Sequence, residues 1–254
     1  MLRVEDLTLA YGAEPVLAGV DLTVAKGRFA SLIGPSGSGK TSILRAVTGL
    51  QKVSAGRIQL DVPQTSVGFL FQDDALLPWR TARQNVALGL RIRGVAKAEA
   101  SDRADEWLGK LGLVGLGDRF PSQLSGGQRK RVAIAQVLAL EPRFLLMDEP
   151  FASLDAIVRT RLTQELIGWV ERENLTVLLV THDLEEAISL SDVVYVLSQG
   201  PRARIRSVHE VGIARPRDVL ATRQDARFPA LLKTLWDELS DETPAEARVA
   251  EAAR

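Results

Sequence analysis

The sequence predicts an α/β fold organised around a phosphate-binding loop, and three observations predict it. Gly34-Pro35-Ser36-Gly37-Ser38-Gly39-Lys40-Thr41 fits the pattern G-x-x-x-x-G-K-[ST]. The pattern stands between an apolar strand-like run, Phe29-Ala30-Ser31-Leu32-Ile33, and a helical stretch from Thr41 to Leu50 with Ile43, Leu44, Val47 and Leu50 on one face. A second apolar run, Phe144-Leu145-Leu146-Met147, ends in Asp148-Glu149-Pro150, and a buried strand needs no acids at its tip. The chemistry of the first pattern is direct. Glycines let the backbone curl until its N–H groups face a polyphosphate. Lys40 adds a mobile charge for the β- and γ-phosphates, Thr41 offers a hydroxyl to Mg²⁺, and the helix N-terminus adds its dipole.

In chain order, Leu2 to Ala10 and Val16 to Ala25 read as strands, with Lys26-Gly27 turning into the strand before the phosphate loop. Tyr11, between the first two strands, either stacks on a nucleotide base or packs a strand end. Gly56 to Leu60 and Ser66 to Phe71 read as two short strands. The second ends at Gln72, a polar residue where α/β sheets bind ligands. From Thr81 to Leu140 the pattern turns helical, over Ala82 to Arg93 and again over Lys97 to Leu111, before Gly112, Gly115 and Gly117 break the chain. Leu124-Ser125-Gly126-Gly127-Gln128 follows. Ser125 and Gln128 are spaced as a capping box for a helix running to Leu140, but a capping box does not need two glycines. They imply that something approaches this helix end closely.

At Asp148-Glu149, a Mg-ordering Asp beside a water-activating Glu explains both acids. Ile157 to Glu173 reads as a helix and Leu175 to Val180 as a buried strand ending at Thr181-His182-Asp183. His182 thus sits on the strand-end edge that also carries the phosphate loop, a place for contact with phosphates. The other histidine, His209, follows Ser207-Val208 in a peripheral strand and takes no role. Asp192 to Leu197 and Ala203 to Val208 close the sheet region. Arg223 to Leu239 reads as a last amphipathic helix, and Ser240 to Arg254, poor in apolar residues, as a disordered tail.

Composition excludes several classes. Lys plus Arg and Asp plus Glu both number 32 in 254 residues, so no strongly basic surface points to nucleic acid. The absence of Cys removes disulfides and thiolate metal sites. No run reaches the roughly 18 apolar residues that span a bilayer, and Met1-Leu2-Arg3-Val4-Glu5-Asp6 carries no signal pattern. A role at a membrane then requires a partner.

Six motifs in order make residues 2 to 215 resemble the ATP-binding subunits of ABC transporters. Gly34 to Thr41 resembles Walker A, Gln72 the Q-loop glutamine, and Leu124 to Gln128 the LSGGQ signature. Phe144 to Glu149 resembles Walker B with its catalytic Glu, Ser153-Leu154-Asp155 the D-loop, and His182 the switch histidine. The resemblance implies a P-loop nucleotidase core with an antiparallel β subdomain and an inserted α-helical subdomain. The cassette would cover residues 1–220, with the insertion at about 80–140, a C-terminal helix at 221–239 and a tail at 240–254. It implies a head-to-tail homodimer enclosing two ATP. Gly34 to Thr41 and Ser42 would hold ATP, Tyr11 would stack on adenine, and Ser125, Gly126, Gly127 and Gln128 would meet the partner's γ-phosphate. Glu149 would polarise water, while Thr41, Gln72 and Asp148 would serve Mg²⁺. His182 and Lys40 would stabilise charge on the transferring phosphoryl, and Asp155 would link the two sites.

Phe71-Gln72-Asp73-Asp74-Ala75-Leu76-Leu77-Pro78-Trp79, Asn85 to Leu90, Phe151 to Ala156 and Arg215-Pro216-Arg217-Asp218 are similar to the importer branch for taurine, alkanesulfonates, nitrate and related solutes. Relatives carrying thiamine pyrimidine precursors keep the solute open. The lack of a fused membrane segment, the single cassette and the short tail agree with that branch. It implies a separate permease, indirectly a solute-binding protein, and a peripheral place on the cytoplasmic face of the membrane. In this branch a permease helix enters a groove beside the helical insertion. Leu76, Leu77, Pro78 and Trp79 are expected either to line that groove or to plug the core. Two departures stand out. Gln136 takes a position usually held by Arg, which puts a helix-surface salt bridge in doubt, and the stretch from Ser54 to Val67 is short, which leaves the size of the β subdomain open. The alternative reading is a soluble ABC-type ATPase acting on a protein or nucleic-acid partner.

Overall fold

The computed structural model describes residues 1–12 and 14–241. Most of the tail expected from 240 onward therefore lies outside the described residues, while Ser240 and Asp241 close the last helix. In order, the elements begin with β1 (Leu2–Tyr11), β2 (Glu14–Val24), β3 (Phe29–Ile33), α1 (Lys40–Val47), β4 (Ala55–Leu60) and β5 (Val67–Leu70). Next come α2 (Ala82–Ile92), α3 (Lys97–Lys110), α4 (Gly126–Leu138), β6 (Phe144–Asp148) and α5 (Ala156–Arg172). The chain ends with β7 (Thr176–Val180), α6 (Leu184–Leu190), β8 (Val193–Leu197), β9 (Ile205–Glu210), α7 (Val219–Thr222) and α8 (Phe228–Asp241). Two compact units divide it: residues 1–62 with 167–254, and residues 63–166.

The first unit holds two sheets. One is antiparallel, in the order β2-β1-β4. It is a three-stranded sheet, small as the short Ser54 to Val67 stretch suggests, and its long strands alternate in burial because one face meets the core. The other runs β7-β3-β8-β9, parallel except for the antiparallel pair β8–β9. β3, β7 and β8 are buried at all five positions, which is why they read as unbroken apolar runs. β9 alternates half-buried and exposed, as an edge strand does. Beneath the parallel strands, Ile33, Val194 and Val196 pack with Leu184 and Ile188 of α6 and with Phe228 and Leu235 of α8.

Two helix ends differ from the sequence expectation for local reasons. α1 stops at Val47, because Thr48 caps it and Gly49 turns the chain at φ +74°; Leu50 is then 68% exposed instead of facing the core. α8 begins at Phe228, not Arg223, since Pro229 is tolerated in a first turn and would break an interior one. The short helices α6 and α7 were not expected. Each is opened by an Asp: Asp183 accepts from Glu186 N at 3.0 Å, and Asp218 from Leu220 N and Ala221 N at 3.0 and 2.7 Å.

The Arg215-to-Asp218 stretch turns out to knit the unit together. The buried Arg217 guanidinium donates to Ser191 O and to Ile213 O and pairs with Asp192 at 3.2 Å. Asp192 also accepts from Phe29 N and Arg215, both at 2.8 Å. Burial pushes the Arg217 pKa down, and the Asp192 charge opposes the shift. His209 has a structural use as well. Its Nε2 lies 3.0 Å from Ser207 Oγ and 3.1 Å from Glu238 Oε1, joining β9 to α8.

The second unit contains the parallel pair β5–β6 and helices α2, α3 and α4, which pack on one another. α2 opens with a capping box, Thr81 accepting from Gln84 N and Gln84 Oε1 from Thr81 N. Asn85, fully buried, accepts from Leu77 N at 2.7 Å and donates to the carbonyls of Leu77, Arg80 and Thr81. One side chain thereby fixes the loop from Leu76 to Trp79 onto the start of α2.

Candidate functional site

In the first unit the phosphate loop leaves β3 and enters α1. Gly37 and Gly39 adopt φ of +78° and +95°, which favours glycine. At Gly39 a Cβ would also sit 2.8 Å from Leu17 Cδ2 of β2, so the loop is pressed against the antiparallel sheet. Lys40 is 8% exposed, and its ammonium donates to Gly34 O and Pro35 O, both at 2.8 Å. The bonds fold the side chain back over the loop. Ser38 Oγ is buried and meets no protein partner, and nothing lies within 4 Å of a Cβ built on Gly37. An orphaned buried hydroxyl inside a glycine cradle, beside an ammonium and a helix start, fits a polyphosphate. Ser36 is exposed and Thr41 half-buried.

Tyr11 reaches the same loop. Its hydroxyl lies 3.1 Å from Ser42 Oγ, one residue past Thr41, while its ring is 51% exposed. It therefore stands over α1 with an open aromatic face and does not plug the end of its strand. His182 is exposed two residues beyond β7, and β7 runs beside β3 in register Leu32↔Val180. The first unit thus brings Tyr11, Gly34 to Ser42 and His182 to one end of its sheet.

The second unit does the same for another set. β5 and β6 are parallel with Leu70↔Met147 in register, so Gln72 and Asp148-Glu149 leave one sheet edge. Asp148 is 7% exposed. Glu149 adopts φ +43°, a left-handed backbone that costs a non-glycine residue about 1–2 kcal/mol. Strain of this kind persists where the surroundings enforce it, and it gathers at functional sites. The predicted capping box opens α4: Ser125 Oγ accepts from Gln128 N at 3.3 Å, and Gln128 Oε1 accepts from Ser125 N at 2.9 Å. Gly127 packs against α5, where a Cβ would stand 3.0 Å from Val158 Cγ1; a Cβ on Gly126 would meet Arg129 Nη2 at 3.8 Å, an ordinary contact. Asp155 is exposed and caps α5, accepting from Val158 N at 3.0 Å.

Among the described residues no group of three or more His, Cys, Asp and Glu could hold a metal.

Sequence reasoning missed a buried cation. Lys130, 1% exposed, pairs with Asp74 at 2.9 Å and donates to Gln72 O at 3.0 Å. A lysine on an otherwise apolar helix face was the available signal. The second unit carries an apolar groove. Phe69, Phe71, Leu88, Ile92, Gln136 and Val137 are among the residues that line it, and Leu76 to Trp79 are not. Trp79 is 71% exposed, so it is no core plug either. Gln136, instead of forming a salt bridge, contributes to this wall. No helix among the described residues is long and apolar enough to cross a membrane.

The sequence matches the ABC transporter family over residues 17–152. It is 40% identical to an uncharacterized ABC transporter ATP-binding protein of Methanocaldococcus jannaschii, covering 95% of this chain and 92% of that one. It is 45% identical to the taurine import ATP-binding protein of Pseudomonas fluorescens, over 79% of each chain. With the sulfate/thiosulfate import ATP-binding protein of Thermosynechococcus vestitus the identity is 42% over 83% of this chain, which spans 65% of that relative's length. Among solved structures, a dimeric ATP-binding cassette in a post-hydrolysis state with ADP and Pi superposes with a TM-score of 0.74 at 31% identity, over 84% of this chain and all of the other.

Proposed function

The chain belongs to the ABC transporter family of ATP-binding proteins, and from that premise we propose that it hydrolyses Mg-ATP as a homodimer to energise import of a small solute through a separate membrane permease. The observation that carries the catalytic half is the strained Glu149, held in a left-handed backbone directly after the buried Asp148 at the tip of β6. The kinship with taurine and sulfate import ATP-binding proteins supports the importer half.

Residue by residue, the backbone of Gly34 to Thr41 with Ser42 binds the phosphates, and Tyr11 offers its ring to the base. Lys40 neutralises phosphate charge. Thr41, Gln72 and Asp148 would supply the hard oxygen donors that Mg²⁺ selects, and the ion would supply neutralisation of phosphate charge. Glu149 orients and polarises the attacking water. His182 answers charge on the transferring phosphoryl. Ser125, Gly126 and Gly127, on a pre-capped helix start, receive the γ-phosphate of the partner's ATP, with Gln128 securing Ser125. Asp155, already a helix cap, lies where the second copy is met. Such catalysis consists of positioning and electrostatics.

The docking surface for the permease is the apolar groove of the second unit. Ile92 on its rim is 78% exposed, and Phe71 in its wall is 40% exposed. Apolar side chains of this size left in water mark a partner surface. Ile92→Asp is expected to release the chain from permease-containing membranes, while ATP turnover of the isolated chain stays within about twofold. Equal loss of isolated turnover and of transport would sink the docking assignment.

The solute class is tested by growth. With Lys40→Ala at the native locus, cells are fed sulfate, taurine or an alkanesulfonate as sole sulfur source, nitrate as sole nitrogen source, or a thiamine pyrimidine precursor. Failure on one nutrient alone identifies the solute. Growth on all of them, together with a chain that does not follow the membrane fraction, favours the soluble ATPase.

A further inference from the structure

We propose that Lys130, held by Asp74, is a positioning residue for ATP hydrolysis: it locks the main chain of Gln72 onto the helix that carries Ser125, Gly126 and Gly127. The inference rests on the nucleotide roles given to Gln72 and to the start of α4, and adds residues to which those roles give no contact with nucleotide.

The geometry is a closed set of bonds within the second unit. Lys130 Nζ lies 2.9 Å from Asp74 Oδ1 and donates to Gln72 O at 3.0 Å. The other Asp74 oxygen lies 3.5 Å from Arg129 Nε, and Arg129 Nη1 donates to Leu124 O at 2.8 Å. Two consecutive residues of α4 thus place their cations on one carboxylate, and each also grips a carbonyl. One carbonyl belongs to Gln72, the other to Leu124, next to Ser125.

Stability does not explain this lysine. An apolar side chain of similar volume is often as good as a buried ion pair, or better. What an ammonium with three donors supplies, and an apolar side chain does not, is a fixed distance between α4 and the Gln72 carbonyl. The local backbone depends on such a tie. Ala75, next after Asp74, stands at φ +51°, so the segment turns sharply where the two cations meet it. Gln72 cannot shift without either breaking charge-assisted bonds or drawing α4 with it. Asp74 and Ala75 also line the apolar groove, so a helix entering there presses on the carboxylate that holds the link.

The test uses the full chain with four substitutions: Lys130→Met, Lys130→Arg, Asp74→Asn, and Lys130→Met with Asp74→Asn. The measurements are kcat and KM for ATP, equilibrium ATP affinity, and thermal unfolding. Lys130→Met is expected to lower kcat on the order of tenfold, the cost of a small misplacement, with ATP affinity unchanged. Lys130→Arg is expected to recover most of the loss. The double variant is expected to be no worse than the worse single one, because both break the same link. A lower melting temperature with unchanged kcat per folded molecule overturns the proposal and leaves a packing role. If Lys130→Met fails to fold, Asp74→Asn decides by the same criteria. ATP turnover that survives Glu149→Gln in an otherwise unaltered chain would fault the catalytic reading itself, and the inference falls with it.

Discussion

Glu149→Gln is expected to lower steady ATP turnover by about 10²- to 10⁴-fold while ATP binding persists and an ATP-bound dimer accumulates. The substitution keeps the size of the side chain and its ability to hydrogen-bond, and removes only the charge that orients and polarises water. The backbone makes Glu149 a sharper target than an ordinary surface acid. At φ +43° it sits where a side chain is disfavoured, one residue past a buried Asp148. A position held there for packing would serve better as glycine. Gln shares the strain of Glu, so the folded structure should lose little, and a melting temperature near that of the wild type separates chemistry from folding. The dimer follows from the same logic: if hydrolysis is what reopens the two copies, blocking it traps them around ATP. Phosphate release and size-exclusion chromatography with ATP read both halves. Turnover above about a tenth of wild type would remove Glu149 from the water-activating role.

The features legible in the sequence share one property: they are contiguous. The runs Phe29–Ile33, Phe144–Met147 and Thr176–Val180 announce buried parallel strands because every position is apolar or small and no alternation is needed. The phosphate loop, the Ser125–Gln128 capping box and the Asp148-Glu149 pair are each short strings whose chemistry is local. What escaped depends on residues distant in the chain. Tyr11 and Ser42 are 31 residues apart, and no local spacing announces their contact. Lys130 and Gln72 are 58 apart. The importer resemblance and their apolarity place Leu76 to Trp79 at a groove, whereas Asn85 ties the N–H and carbonyl of Leu77 to the start of α2, and the wall of the apolar groove is built from β5, α2 and α4. Helix ends failed where one residue overrides the pattern, Gly49 after α1 and Pro229 at the start of α8.

Lys40→Ala is the complementary experiment, expected to remove binding where Glu149→Gln removes chemistry. The Lys40 ammonium is 8% exposed and already satisfied in part by Gly34 O and Pro35 O at 2.8 Å, so it is held in place before any phosphate arrives. Charge-assisted hydrogen bonds of this kind are worth about 1.5–3 kcal/mol each. Losing one or two to the β- and γ-phosphates should weaken ATP binding by roughly 10- to 10⁴-fold. Part of the loss comes from the loop itself, since two buried carbonyls give up their donor and the curl between Gly34 and Gly39 loosens. Lys40→Arg should restore little, because a planar fork cannot fold back onto two carbonyls as a compact ammonium does. The two variants therefore differ in a way that transport alone cannot reveal. Both should abolish uptake, but only Glu149→Gln should form a dimer with ATP, and only Lys40→Ala should fail to retain ATP in equilibrium dialysis. Full ATP affinity in Lys40→Ala would mean that the backbone cradle and the helix dipole hold the phosphates unaided, and the lysine would then belong to the transition state alone.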